Sequence, residues 1–233
     1  MPGKLRVYRA LCLCFVPFLS VVLPKAAWAA PAMTFKLVTL GDGAHCRQKC
    51  IQVVQAEGQI ELNSAESFRN FLLKLPEDPT LRAVVLIQSP GGNVEGSYKL
   101  GYVFRKLGVT VIVAQASELD RDGADGRMVS AQCYSACVFA MMGGKRRFVP
   151  PQSKVGVHSI FTNKYEFDPL HQDPPYRKVP ANETVNDIAR GYAKYMGISP
   201  DLINLAERVP PNSFLILSQS QIAKFRLGSS GKL

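Results

Sequence analysis

The sequence predicts an α/β fold in which helices flank a largely parallel sheet. Residues 82–87 begin with Arg82 and continue as a short, unbroken apolar run, which is typical of a strand covered on both faces of a parallel sheet. An amphipathic helix follows at 95–107 and ends at Gly108, and a second branched apolar run occupies 109–114. A strand, a helix and a strand in this order form the crossover unit that joins neighbouring parallel strands.

Two further elements precede this unit. Residues 51–60 open with alternating branched and polar side chains, which predicts a strand. Residues 65–75 predict a helix whose N-cap is Asn63 or Ser64. The buried stripe of this helix consists of apolar residues spaced three and four apart: Phe68, Phe71, Leu72 and Leu75.

Loops and helices follow the unit. Residues 118–127 are polar and glycine-bearing and have no apolar period, which predicts an inserted surface loop. Calcium binding is the alternative there, but the segment lacks the regular Asp/Asn alternation and terminal Glu of a calcium-binding loop. Residues 161–180 combine prolines and aromatics with little periodicity and predict a loop or lid. Helices are expected at 183–195 and 200–207.

The N-terminus has the three parts of a secretory signal peptide. Three basic residues precede an apolar run at 11–23, and the segment ends in Ala27-Trp28-Ala29, with a small residue on each side of the tryptophan. We expect cleavage after Ala29, which leaves 30–233 as a single periplasmic or secreted domain. The run is about 13 residues long, whereas a bilayer span takes roughly 20. We therefore expect no stable membrane insertion after signal removal, with an uncleaved anchor as the alternative.

Composition argues against a nucleic-acid partner. The net charge of +10 includes four basic residues of 1–29, so the remainder carries 24 basic against 18 acidic residues. No long basic run, RNA-binding aromatic motif or zinc-finger spacing accompanies this charge. We also expect no cofactor.

Four cysteines remain after signal cleavage: Cys46, Cys50, Cys133 and Cys137. An oxidising compartment favours disulfides, and four cysteines permit three pairings. Zinc is the alternative, but zinc-type spacing is absent and His45 is the only imidazole nearby in the sequence. We therefore expect disulfides and no metal site.

Three features together provide the parts of a hydrolytic site. A serine nucleophile needs exposure at a turn, an imidazole base and backbone N–H donors for the oxyanion. Ser135 heads a compact helical stretch, His158 ends a strand, and Gly91-Gly92 directly follows a buried strand. Each feature alone is ordinary: an N-cap serine, a structural histidine and a tight turn, without the GxSxG elbow of α/β-hydrolases.

In this order the motifs resemble the proteolytic subunit of Clp protease, in the ClpP/crotonase superfamily. The resemblance rests on Ser-Pro-Gly-Gly at 89–92, a serine heading a helix, and Val-His at 157–158. It covers about 52–227 and is nearest to exported Clp-like proteins with a Cys-x-Ser-Ala-Cys motif.

The resemblance implies a specific fold and site. The fold would be a ClpP/crotonase-like spiral of ββα units. Ser135 would be the nucleophile, His158 the general base, and Gly91 and Gly92 the oxyanion hole. It further implies a polypeptide substrate and a homo-oligomer. A bond between the cysteines on either side of Ser135 would staple the nucleophile turn, although the pairing stays open.

One departure concerns the third member of the triad. The family carries an aspartate shortly before a leucine-serine pair, but residues 210–216 of this chain hold no carboxylate. Asn212 is the expected substitute, because an amide oxygen can accept the imidazole N–H, and Asp201 is the second choice. Without the negative charge of the triad aspartate, catalysis could be weak or lost. The alternative to a serine peptidase is therefore a binding or scaffold protein of the cell envelope that is catalytically weak or inactive.

Two other chemistries are alternatives to a serine peptidase. Acyl-CoA chemistry would use the same paired N–H groups, but it usually relies on acidic residues, and export separates the protein from CoA. A cysteine nucleophile would have to stay reduced and accessible in an oxidising compartment, where thiols are fragile.

Overall fold

A computed structural model of the chain describes residues 30–41, 50–117, 127–165 and 176–230. The predicted signal peptide at 1–29, Cys46 and all but the last residue of the predicted surface loop at 118–127 lie outside these ranges.

The main sheet holds five strands. Their bounds are β1 Thr34–Leu40, β2 Ile51–Glu57, β3 Leu81–Gln88, β4 Thr110–Ile112 and β8 Arg146–Phe148, and their order is β1-β2-β3-β4-β8. β1 runs antiparallel to β2, and all other neighbours are parallel. The predicted α/β fold with a largely parallel sheet is therefore confirmed. β1 was not predicted; it packs Phe35 onto Phe68, with ring centroids 5.0 Å apart.

A second sheet lies beside the end of β3. Its strands are β7 Gln132–Tyr134, β9 Lys154–Val157 and β12 Leu215–Ile216, in the order β12-β9-β7. β7 and β9 are parallel, so their carboxyl ends lie side by side. Ser89 links the two sheets: its N–H donates to Gln132 O (2.9 Å) and its carbonyl accepts from Tyr134 N (3.0 Å).

Two antiparallel hairpins complete the described strands. β5 Ala114–Ala116 pairs with β6 Met128–Ser130, and β10 Phe161–Tyr165 pairs with β11 Tyr176–Pro180. The second hairpin corrects the prediction of an irregular loop or lid over 161–180. Most prolines of that segment fall between the two strands in the sequence, where they do not interrupt the pairing.

Six helices occur in the described residues: α1 Ser64–Leu72, α2 Val94–Leu107, α3 Ala136–Met142, α4 Glu183–Tyr195, α5 Asp201–Glu207 and α6 Gln219–Lys224. The helices α2, α4 and α5 match the predicted bounds within one residue, and α3 begins directly after Ser135, which was expected to head a helical stretch. Asn93 begins α2 by accepting a hydrogen bond from Gly96 N (2.7 Å), and Asn182 begins α4 by accepting one from Val185 N (3.1 Å).

The short helix α3 lies in the centre of the core. All of its residues are buried, and it packs against α2, against β7 and β9 of the second sheet, and through Phe139 against Tyr192 of α4. Its carboxyl end is held by Arg147, whose Nη1 donates to Gly144 O (2.6 Å), and by Arg105, whose Nη2 donates to Met142 O (3.2 Å). Close packing on every side fixes the position of the residue that precedes α3. No helix in the described ranges is long and apolar enough to cross a membrane.

Candidate active site

Ser135 lies between β7 and α3 in strained backbone. Its φ of 55° and ψ of −124° are values that residues other than glycine rarely adopt. Its N–H donates to Gly156 O (2.9 Å), and its carbonyl accepts from Val138 N (3.0 Å). Ser135 Oγ makes no capping hydrogen bond to α3, so the side chain does not act as an N-cap. A serine on a strained strand-to-helix turn has the geometry of a nucleophile elbow.

The Gly91-Gly92 turn packs against the turn that holds Ser135. Both glycines have positive φ, 107° and 132°. A Cβ on Gly91 would lie 2.7 Å from Ser135 Cβ, and a Cβ on Gly92 would overlap Ile60 O. Space and backbone angle both exclude a side chain here, so these glycines allow the close approach of the two turns.

Two backbone N–H groups beside Ser135, those of Gly92 and Ala136, have no acceptor among the described residues. Gly92 lines the cavity described below, and Ala136 opens α3, where an N–H has no partner within the helix. The N–H of Gly91 instead donates to Ser89 Oγ (3.1 Å). The sequence predicted Gly91 and Gly92 as the oxyanion donors; of these two N–H groups only that of Gly92 is without an acceptor, and Ala136 provides a second such group. The position of Ala136 directly after Ser135 is the signal that could have found it.

His158 follows β9 and is buried between two phenylalanine rings. The centroid of the imidazole lies 5.0 Å from that of Phe214 and 5.6 Å from that of Phe161. Its Nδ1 lies 2.7 Å from the carbonyl oxygen of Ser159. Because a carbonyl oxygen only accepts, Nδ1 carries the hydrogen, and Nε2 of the neutral ring keeps its lone pair. An unprotonated Nε2 is what a general base requires.

The surroundings of His158 favour the neutral ring. Burial lowers the pKa of His158 below its ordinary value of 6.5. The hydrogen bond to the Ser159 carbonyl raises the pKa in part, and the positive charge of Lys178 lowers it further. At pH 7 the imidazole is therefore neutral and able to accept a proton.

Ser135 and His158 line one cavity of about 940 Å³. Among the described residues no hydrogen bond joins the serine hydroxyl to the ring. Catalytic hydrogen bonds are often long in ligand-free enzymes and tighten with substrate. The fold thus brings the two side chains into one site without a hydrogen bond between them.

Asn212 lines the same cavity but does not orient the ring through a hydrogen bond in the part of the chain that the structure describes. The imidazole N–H that Asn212 was expected to accept is that of Nδ1, which donates instead to the Ser159 carbonyl oxygen. Asp201, the second choice, begins α5 and accepts a hydrogen bond from Ser199 Oγ (3.1 Å). The orienting group is a backbone atom, which a sequence pattern does not reveal.

The walls of the cavity are mainly apolar, and one cation lies at its rim. Side chains from α2, α3, α4 and α5 form the wall: Tyr98, Phe139, Met142, Ile188 and Ile203. Lys178 of β11 lies with Nζ 4.5 Å from the centre of the Phe161 ring and 3.4 Å from Pro211 O. Sequence reasoning missed Lys178 because it fell in the presumed loop. Within the described residues, no group of three His, Cys, Asp or Glu side chains could hold a metal.

A disulfide joins Cys133 to Cys137 across the turn that holds Ser135. Their Cα atoms lie 5.3 Å apart, and both side chains are buried. The expectation of a disulfide is thus confirmed for this pair. Cys50 is also disulfide-bonded, and Cys46 lies outside the described residues.

Comparison with solved structures finds similarity to proteases. The membrane-bound stomatin-specific protease 1510-N matches in two mutant forms, one in complex with a substrate peptide, at 12% identity and a TM-score of 0.49. These matches cover 72% of this chain and 72% and 68% of the protease chains. ClpP1 from Listeria monocytogenes matches at 16% identity and a TM-score of 0.45, over 75% of this chain and 88% of its own. Such values say nothing of the activity or substrate of this chain. No protein-family model and no curated protein sequence matches the chain.

Proposed function

We propose that the chain is an exported serine hydrolase that cleaves polypeptides, with Ser135 as nucleophile and His158 as general base. The observation that carries the proposal is that a serine on a strained turn and a buried neutral imidazole line one cavity. The acceptor-free N–H groups of Gly92, which lines the cavity, and of Ala136, which directly follows Ser135, support it, because an oxyanion needs backbone donors that are not already paired.

The chemistry would proceed in two steps. Ser135 Oγ attacks the carbonyl carbon of a peptide bond and gives its proton to His158 Nε2. The two N–H groups bind the oxyanion, the C–N bond breaks, and Nε2 passes the proton to the departing amine. Water then attacks the acyl-serine, loses a proton to Nε2 and releases the carboxylic acid, and the proton returns to Ser135.

The orienting group distinguishes this proposal from an ordinary triad. The Ser159 carbonyl holds the ring by Nδ1 but supplies only a partial negative charge. Replacing the triad aspartate by an amide in one serine protease lowers turnover about 10⁴-fold, in part through the wrong tautomer. Here the tautomer is set correctly by the carbonyl, so we expect slow turnover instead of its absence.

The substrate, location and assembly belong to the same proposal. The apolar cavity walls suit large apolar side chains of a polypeptide. The signal-peptide pattern and the buried Cys133–Cys137 disulfide fit an oxidising space, periplasmic or extracellular. The resemblance to the Clp subunit suggests a homo-oligomer there.

Cleavage of an unfolded polypeptide mixture, with the fragments identified by mass spectrometry, tests the proposal. Ser135→Ala and His158→Ala should each abolish the fragments that the wild type produces. Ser159→Ala is the matched control, because it removes a neighbouring hydroxyl and keeps the carbonyl that binds the ring. The proposal fails if Ser135→Ala cleaves like the wild type, or if the folded wild type cleaves nothing.

The absence of a carboxylate at 210–216 favours one second candidate, a binding or scaffold protein with this fold. In that case the wild type and Ser135→Ala would bind an unfolded polypeptide with equal Kd, and neither would cleave it.

A further inference from the structure

We infer that the Cys133–Cys137 disulfide positions Ser135, so that the hydrolase reaches full activity only once this bond has formed. The inference rests on the proposed function. It adds a pair of positioning residues to the site and makes activity dependent on oxidation.

The disulfide joins the two elements that meet at Ser135. Cys133 lies in β7, where it pairs with Val155 of the parallel neighbour β9. Cys137 lies in the first turn of α3. The bond therefore fixes the start of the helix against the strand, with Ser135 at the centre of a five-residue loop.

The residues inside this loop need such a restraint. Ser135 holds a φ of 55°, which persists in a fold only where the surroundings over-determine the backbone. Hydrogen bonds to Gly156 O and from Val138 N hold the serine on each side. Ala136, whose N–H is one of the two acceptor-free donors, is also enclosed by the bond. One covalent link thus constrains both the nucleophile and an oxyanion donor.

Stabilisation of the whole fold explains the Cys133–Cys137 disulfide less well than the positioning of Ser135 does. A disulfide stabilises mainly by restricting the unfolded chain, and the gain falls as the closed loop becomes shorter. Five residues is a very short loop, and α3 is already buried along its whole length. The effect of this bond should therefore be felt mainly in the local geometry of Ser135.

The experiment compares the rate at which a fluorophosphonate probe, which phosphonylates activated serines with loss of fluoride, modifies Ser135. Wild type is compared with Cys133→Ala/Cys137→Ala and with Cys133→Val/Cys137→Ala, which refills part of the lost volume. The matched control is Cys50→Ala, because Cys50 is disulfide-bonded but lies at the far end of β2 from the cavity residue Gln59. Folding of every protein is checked by circular dichroism.

We expect both double variants to fold and to react about 100-fold more slowly at saturating probe, since a displacement of 1 Å costs about that factor. The pH profile of the rate should keep its shape, because the contacts of His158 are unchanged, and Cys50→Ala should match the wild type. Equal rates in wild type and double variants would overturn the inference. Failure of both double variants to fold would also overturn it, because the bond would then hold the fold. A folded wild type that does not react at all would instead refute the proposed function.

Discussion

Replacing Gly91 by alanine tests whether contact between the glycine turn and the nucleophile turn controls Ser135. The added Cβ would lie 2.7 Å from Ser135 Cβ and 2.8 Å from Tyr134 O. Carbon atoms in contact normally lie about 3.5–4.0 Å apart, so one of the two turns must move by about 1 Å. A nucleophile displaced by that distance reacts about 100-fold more slowly.

The same substitution also carries a backbone cost. Gly91 has a φ of 107°, and holding another residue there costs about 1–3 kcal/mol. For a domain of this size, each kcal/mol lowers Tm by roughly 2–4 °C. We therefore expect Tm to fall by roughly 4–8 °C for a cost near 2 kcal/mol.

Gly197→Ala separates the two effects. Gly197 also has positive φ, 76°, but a Cβ there would meet no atom within 4 Å. Both variants should lose stability, and only Gly91→Ala should lose reactivity toward the fluorophosphonate. Labelling rates come from intact mass, and Tm from circular dichroism. Similar labelling rates in the two variants would refute the reasoning.

Three further predictions follow from the site and its surroundings. Lys178→Met removes a charge that lowers the pKa of His158, so the pKa rises and the acid limb of the labelling-rate profile moves to higher pH. Lys178→Arg should leave the limb in place, and an unmoved limb in Lys178→Met would contradict the assignment. Asn212→Ala should change the labelling rate by less than about threefold, because the ring is bound by a carbonyl; a loss approaching 10⁴-fold would return the orienting role to the amide. The Tyr98 hydroxyl is buried without a partner among the described residues, so Tyr98→Phe should leave the free energy of unfolding unchanged or raise it by up to about 1 kcal/mol. Tyr192→Phe loses a 2.9 Å hydrogen bond to a carbonyl of α3, so it should lower the free energy of unfolding by about 1 kcal/mol. Urea titrations measure both variants, and a Tyr98→Phe protein less stable than Tyr192→Phe would be inconsistent with these contacts.

The elements with a long amphipathic pattern or a continuous apolar run could be predicted from the sequence. The helices α2 and α4 combine an amphipathic pattern with asparagine caps, and β3 is a continuous apolar run. In the second sheet, the strand before His158 was predicted and is β9. Its neighbours β7 and β12 have three and two residues, which is too short for a periodic signal to stand out. The hairpin of β10 and β11 was missed because its prolines suggested a loop, although they fall mainly between the strands.

The side chains of the candidate site could be predicted more fully than its backbone groups. Ser135 was found from its place at the head of a helix and His158 from its place at the end of a strand, and the parallel pairing of β7 with β9 brings the two together. The Ser159 carbonyl and the N–H of Ala136 could not be identified, since every residue offers these groups and only tertiary structure selects among them. Lys178 reaches the cavity only through the hairpin, which no local pattern indicated.

The central claim is that Ser135 is an activated nucleophile, and adduct mapping tests it most directly. The folded protein is treated with a fluorophosphonate and digested, and the modified residue is located by mass spectrometry beside Ser135→Ala and His158→Ala. We predict a single adduct on Ser135 in the wild type and none in either variant. An unmodified wild type, or an adduct on Ser135 that persists in His158→Ala at the same rate, would contradict the account.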